Sequence, residues 1–416
     1  MITVTDLILA VVYLITLFYA IFWLLTFVDQ EEDARRIVRT PPRVDIIIPA
    51  YNEEDCIATS MESVLKLIYP RDKLRLIVVD DGSTDATAAV AQGVARAHSE
   101  SQITVVSQEN RGKFDALNNG LRYCTGTYFA CLDADSEVDP EALNRMLPYF
   151  QEKNIAVVLP LMKVKNPTNL LQRIQWYEYL INMFYKRIMS YLNCIHVAPG
   201  PFSLYRREIV AAVGGFRQAY HTEDLEIALR LQSHQYRIIQ CVDAAVWTTP
   251  PAHLGILFQQ RKRWNMGSLL NVWSYRRMIF RRKYGDFGLF QMPIVLISGF
   301  VTFTLIVLIF YHNVIQNLYE WITKISLIDF DILTLIRNMV FRMTLLDINY
   351  YRLIVMGAML SISMFILFYA HRNARERVRR YGILPLAVFL LFYYLLLGVV
   401  WGLILVNLVR KRGTKW

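Results

Sequence analysis

Apolar residues fall into two patterns along this chain. Towards the two ends they form long uncharged runs, at residues 7–28, 287–319 (with an apolar heart at 292–311), 353–370 and 381–409. A helix needs roughly 20 apolar residues to cross a bilayer, so these runs predict four transmembrane helices. Between the first and second runs, short β-branched segments at 44–48, 74–79, 103–106, 128–132 and 155–159 alternate with helix-like stretches at 54–67, 85–98, 113–123 and 140–149. Strands alternating with helices at this spacing predict parallel βαβ units, that is, an α/β fold with a buried and mostly parallel sheet. Ligands of such sheets sit beyond the carboxyl ends of the strands. Polar residues gather there: Asn52, Glu53, Asp80, Asp81, Asp133 and Asp135. Residues 44–264 are ample for one core.

Composition sharpens the membrane assignment. The 416 residues are 55% hydrophobic and the mean hydropathy is +0.29, too apolar for an ordinary soluble protein of this length. The first run is too long for a cleaved signal peptide, and basic residues follow it instead of preceding it. Arg35, Arg36, Arg39 and Arg43 after the first run, and Arg276, Arg277, Arg281, Arg282 and Lys283 before the second, place the central block in the cytoplasm by the positive-inside rule. Arg372, Arg375, Arg377, Arg379 and Arg380 then also fall inside, whereas Arg410, Lys411, Arg412 and Lys415 fall outside, against the rule. A re-entrant last segment, or an embedded stretch at 325–346, would alter the count. The expected localisation is a plasma membrane, crossed several times. The net charge of +10 sits largely beside the runs, which suits membrane lipid headgroups and not nucleic acid. All five cysteines lie in the central block, odd in number and without a C-x-x-C pair, which fits a reducing compartment and excludes a zinc site. The expected division is an N-terminal span at 1–30, a cytoplasmic domain at 40–264, an amphipathic interfacial helix at 265–285, and a membrane region of about three helices at 286–416.

Several clusters in the central block carry chemistry. Pro49-Ala50-Tyr51-Asn52-Glu53-Glu54 offers a ring to stack on a base and a carboxylate to accept from it, although Asn and Glu also suit a turn and a helix start. Asp80-Asp81-Gly82-Ser83-Thr84-Asp85 holds more acid than a helix cap requires. Asn110-Arg111-Gly112-Lys113 puts cations at a helix N-terminus, a locally unfavourable placement that a bound diphosphate would offset. Asp133-Ala134-Asp135 sets two carboxylates on one face of an extended segment, where they repel unless a cation sits by them. Oxygen-only ligation selects Mg²⁺ or Mn²⁺ bridging to substrate phosphates. Thr222-Glu223-Asp224 suits a capped helix start and equally a general base. Gln260-Arg261-Lys262-Arg263-Trp264 suits an interfacial basic anchor and equally a cation for a leaving diphosphate beside an aromatic platform for a sugar.

In this order and register, Asp-x-Asp, Thr-Glu-Asp and Gln-x-x-Arg-Trp strongly resemble the processive, membrane-embedded inverting glycosyltransferases of family 2, the cellulose, chitin, hyaluronan and poly-N-acetylglucosamine synthases among them. The one-leading, three-trailing plan of spans is most similar to nodulation chito-oligosaccharide synthases. The resemblance covers residues 44–264 and the flanking helices, and implies a GT-A-like nucleotide-sugar domain. It implies that Tyr51, Glu53 and Asp81 hold the uridine, Lys113 the diphosphate and Asp135 the metal, with Asp133 beside it near ribose or phosphate. It makes Asp224 the base, next to Glu223, and assigns Gln260, Arg263 and Trp264 to the leaving group and acceptor. Gly200-Pro201-Phe202-Ser203-Leu204-Tyr205-Arg206 is similar to the acceptor-side segment of hyaluronan-type synthases. Residues 176–193 and 265–280 are aromatic and amphipathic, as interfacial helices beneath an export channel would be. The tail at 412–416 is faintly similar to a cytoplasmic motif of those enzymes, on the wrong side for that role. The function so implied is inverting transfer of a hexose, of N-acetylglucosamine type, from a UDP-sugar to a growing β-linked glycan, with export. The alternatives are single addition to a lipid-linked acceptor, a nucleotide-binding sensor without turnover, and a transporter with a regulatory nucleotide-binding domain. The last predicts charges within the spans, whose cores carry none.

Overall fold

A computed structural model describes residues 4–28, 40–220, 222–327 and 350–410. An eight-stranded mixed sheet forms the centre, in the order β3-β2-β1-β4-β7-β6-β8-β5. Its strands are β1 (Val44–Ala50), β2 (Leu74–Asp80), β3 (Gln102–Ser107), β4 (Tyr128–Cys131), β5 (Ser136–Val138), β6 (Ile155–Val164), β7 (Ser203–Arg206) and β8 (Arg237–Thr248). The helices up to the first apolar C-terminal run are α1 (Val4–Val28), α2 (Ile57–Leu65), α3 (Thr87–Ala97), α4 (Lys113–Tyr123), α5 (Ala142–Met146), α6 (Leu170–Tyr191), α7 (Arg207–Ala212), α8 (Glu223–Ser233) and α9 (Leu254–Ser274).

The five short apolar runs are β1, β2, β3, β4 and β6. β1 pairs in parallel with β2 and β4, and β2 with β3. All of β1 is buried, and alternate residues serve opposite layers as the pleat requires. Val44, Ile46 and Ile48 pack with Ile57, Met61 and Val64 of α2, while Ile47 packs with Ala116 and Leu117 of α4. A Cβ at Gly120 would stand 2.6 Å from Cγ2 of Ile47, so glycine lets α4 lie close on β1.

Beyond β4 the sheet is no longer parallel throughout. β7 runs antiparallel to both β4 and β6, β5 runs antiparallel to β8, and β6 with β8 is parallel. β5 and β7 span three and four residues, too short to show a period. β8 contains Gln240 and Asp243 within its twelve residues. α9 runs unbroken through residues 264 and 265, so the cationic–aromatic cluster and the expected interfacial helix share one element.

Among the described residues two helices, Phe287–Leu308 and Ile383–Leu408, are long and apolar enough to cross a membrane. The first and third apolar runs also fold as helices, Val4–Val28 and Tyr350–Ala374, of 25 residues each. Arg35, Arg36, Arg39, residues 328–346 and the tail at 412–416 lie outside the described residues.

Candidate active site

The loops at the carboxyl ends of β1, β2 and β4 meet the starts of α4 and α8 in one cleft. The loops after β1 and β2 are laced together. Asn52, at φ 55°, donates its N–H to Ser83 Oγ at 3.0 Å and accepts the Thr84 N–H at 2.8 Å, while the Glu53 N–H donates to Thr87 Oγ1 at 2.7 Å. Tyr51 is exposed at the rim. Asp81, only 3% exposed, accepts from Gln108 Nε2 at 2.8 Å, Arg111 N at 3.0 Å and Gly112 N at 2.9 Å. Its carboxylate shapes the loop that leads into α4. Gly82 (φ 73°) leaves room for that loop, since a Cβ there would stand 2.7 Å from the Asn110 nitrogen.

Lys113 opens α4, after Gly112 at φ 92°. Its Nζ lies 2.6 Å from Asp133 Oδ1, after β4, and 3.5 Å from Glu223 Oε1, at the start of α8. One ammonium therefore joins acidic clusters separated by ninety positions in the chain. Burial opposes its charge, but Asp133 and Glu223 outweigh that and hold its pKa above the usual lysine value. A cation is retained where five carboxylates gather.

The carboxylates feel one another as well as the lysine. Glu53 is pushed up to about 7, first by burial and then by Asp135 and Asp133. Asp135 opens to the cleft and is bonded by Ser136 Oγ at 2.9 Å. Its carboxyl is raised by the depth of the cleft and by Asp133. Asp224 is pushed up to about 7 by burial first and by Glu223 second, with Lys113 pulling the other way. A carboxylate near 7 is matched to proton abstraction at neutral pH.

Asp133, Asp135 and Glu53 form an all-oxygen set whose mutual repulsion Lys113 relieves only in part, the chemistry that a hard divalent cation suits. Among the described residues no three acidic, His or Cys side chains stand ready as a closed metal cage. The set therefore fits an ion that takes one or two carboxylates and completes its shell elsewhere, as Mg²⁺-type ions do.

The sequence did not show what several positions do for the site. Gly200 lies against Asp133, and a Cβ there would meet Oδ1 at 2.3 Å and Oδ2 at 2.6 Å. On α9, Gly267 presses on Thr222, where a Cβ would stand 2.6 Å from Oγ1. Asn271 Nδ2 donates to that Oγ1 at 3.0 Å. Thr222 thus makes no side-chain helix cap, and its hydroxyl faces α9. Gly267 and Asn271 follow Trp264 at spacings of three and seven, one helix face, and that periodicity was the available signal. Lys186, on α6, is held down to about 8 by burial, with Asp224 acting in the opposite sense. Of the cationic cluster, Arg261 is buried, Gln260 and Trp264 are half-buried, and Arg263 is exposed. The structure brings Glu53, Lys113, Asp133, Asp135, Glu223 and Asp224 together, and leaves Arg263 and Tyr51 at solvent.

Residues 45–214 match the model of glycosyl transferase family 2. A poly-β-1,6-N-acetyl-D-glucosamine synthase of Staphylococcus aureus (strain MSSA476) is 33% identical over 227 residues, 54% of each chain. That of Staphylococcus epidermidis is 28% identical over 274 residues, 62% of this chain and 66% of the relative. The matched part is thus about half to two-thirds of those relatives' length. A solved mannosyltransferase from Pyrobaculum calidifontis, in complex with GDP-Man and Mn²⁺, superposes with a TM-score of 0.61 over 93% of this chain and 98% of that one, at 20% identity. That likeness is one of fold. The mixed sheet and its strand-end acids thus lie largely in a segment that matches the family 2 model, on a GT-A-like fold.

Proposed function

We propose that this chain is an inverting glycosyltransferase that moves N-acetylglucosamine from UDP-GlcNAc to the end of a growing β-linked glycan, with its catalytic domain at the cytoplasmic face of a membrane. The observation that supports the reading is Lys113, which ties Asp133 to Glu223 and so brings the acidic cluster after β4 to the one that opens α8. The named activity of the staphylococcal relatives supports the choice of sugar and polymer.

In this reading Tyr51 stacks on the base and Glu53 accepts from it or from ribose, while Asp81 keeps the 108–112 loop in place beneath them. Asp135, with Asp133 beside it, would hold Mg²⁺ or Mn²⁺. When bound, such an ion neutralises charge developing on the departing diphosphate. Lys113 supplies fixed positive charge to the same phosphates. Asp224 accepts the proton of the acceptor hydroxyl as that oxygen bonds to C1 of the sugar and the C1–O bond to the diphosphate breaks. One displacement inverts C1 and releases UDP. Glu223 keeps Lys113 oriented between the two halves of the site. Trp264 offers its ring to the acceptor sugar, with Gln260 next to it. Arg263 meets the leaving group from the exposed side of α9.

The test is turnover of radiolabelled UDP-GlcNAc and UDP-glucose by the full chain in membranes with Mn²⁺, followed by sizing of the product and digestion with linkage-specific glycosidases. A ladder or polymer built from GlcNAc is expected. A single glycolipid spot would replace the polymer by one addition to a lipid acceptor, and no sugar transfer with either donor would end the proposal.

A further inference from the structure

The helix that bears Gln260 and Trp264 is tied to a C-terminal apolar helix through one buried guanidinium. Arg261 is only 2% exposed. Further along the same helix, α9 packs on Ile383–Val409 through Met266, Leu269, Val400, Trp401 and Ile404. A lone cation as buried as Arg261 would be costly, and so would a lone carboxylate. Both are matched. Arg261 Nε donates to Glu178 Oε1 of α6 at 3.0 Å, and Nη2 donates to Glu178 Oε2, making a two-pronged fork. Tyr393 Oη, on Ile383–Val409, donates to Glu178 Oε2 at 2.6 Å. On its other side the guanidinium carries the acceptor-side residues. Its Nη1 donates to Gln260 Oε1, and its Cζ lies 4.3 Å from the centre of the Trp264 ring.

We propose that Glu178 and Tyr393 are positioning residues for the acceptor end of the cleft, fixing Gln260 and Trp264 through Arg261 and so latching the acceptor platform to the C-terminal apolar helix. This rests on the reading that Trp264 serves the acceptor. A planar guanidinium forked along its edge by a carboxylate has one orientation, and it lies over the Trp264 ring. Tyr393 removes the remaining freedom of the carboxylate. Glu178 and Tyr393 touch no substrate in this account, and their effect falls on acceptor binding while donor binding stays as it is.

The test uses the full chain in lipid nanodiscs, with UDP-GlcNAc as donor and a soluble β-linked GlcNAc oligosaccharide as acceptor. Tyr393→Phe keeps the ring and removes one hydrogen bond to a charged group. The acceptor KM is expected to rise roughly tenfold, with the donor KM within about twofold of wild type. Glu178→Gln keeps the shape and removes the charge, and a larger rise, on the order of a hundredfold, is expected. Arg261→Lys loses the fork but keeps the charge, and is expected to fall between the two. If Glu178→Gln fails to fold, Tyr393→Phe decides alone. Acceptor KM unchanged in Tyr393→Phe while Trp264→Ala raises it would overturn the latch and leave the acceptor role of Trp264 standing. Acceptor KM unchanged in Trp264→Ala would overturn both. Equal rises in donor and acceptor KM would show general loosening of the fold and also overturn the latch.

Discussion

Gly200→Ala adds one methyl group, and the structure says where it lands. The new carbon would stand 2.3 Å from Asp133 Oδ1 and 2.6 Å from Oδ2. An ordinary C···O contact is about 3.3 Å, so the carboxylate must retreat by about 1 Å. Oδ1 is the atom bonded to Lys113 Nζ at 2.6 Å, and a retreat of that size away from the ammonium would take the pair to roughly 3.6 Å, beyond hydrogen-bond reach. The ammonium then leans to Glu223, and the link between the two acidic clusters opens. Misplacement by about 1 Å costs on the order of a hundredfold in rate. Gly200 lies outside the left-handed region, so alanine adds no left-handed strain and the thermal midpoint should fall only by the cost of the displaced carboxylate, about 1–3 kcal/mol. The assay is the initial rate of UDP release from UDP-GlcNAc by the full chain, with a melting curve on the same preparation. Gly93→Ala is the control: Gly93 is interior to α3 with nothing within 4 Å of an added Cβ, and alanine there should stabilise by about 0.5–1 kcal/mol without touching the rate. A Gly200→Ala enzyme keeping more than half of wild-type turnover would refute the claim that Asp133 must stand where it does.

Because burial and Glu223 push Asp224 up to about 7 and a base must be ionised to act, kcat/KM should climb with pH through about 7 and then level. Glu223→Gln removes a like charge and should move that limb to lower pH, whereas a limb that stays put in the variant would separate it from Asp224. Lys113→Met removes the ammonium that lowers the Asp224 pKa, so the limb should move to higher pH while kcat falls by about 10² or more; a pH–rate profile reads both. Glu226 and Arg230, 8% and 3% exposed in their side chains, pair at 2.8 Å, and Tyr275 Oη donates to Glu226 at 2.6 Å. Glu226→Ala strands a buried guanidinium and should destabilise by about 3–5 kcal/mol, roughly 6–12 °C in the thermal midpoint by circular dichroism.

What could be read from the sequence follows from what each element's pattern encodes. β1, β2, β3, β4 and β6 were visible because β-branched runs bounded by polar residues have few other uses. The acidic residues at their ends were visible because they exceed what turns and caps need. β5 and β7 were not visible: they pair antiparallel with strands distant in sequence, and three or four residues carry no period. The roles of Gly200 and Gly267 were hidden for a related reason. A glycine required by a close approach looks like any other until its neighbour is known, and those neighbours, Asp133 and Thr222, are 67 and 45 positions away. Arg261 and Arg263 were indistinguishable in sequence. Which of them is buried depends on Glu178, 83 positions upstream, and on the phase of α9. The acidic clusters themselves gave no sign that Lys113 joins them, since a helix-terminal lysine suits an anion in solution as well as two carboxylates.

The most direct test of the shared cleft is the Asp224→Asn enzyme, measured for both UDP-GlcNAc affinity by equilibrium dialysis and turnover with acceptor. The account predicts turnover reduced by about 10³ or more with donor affinity within threefold of wild type, because the amide keeps the shape and cannot take the proton. Undiminished turnover, or loss of donor binding in step with loss of rate, would contradict it.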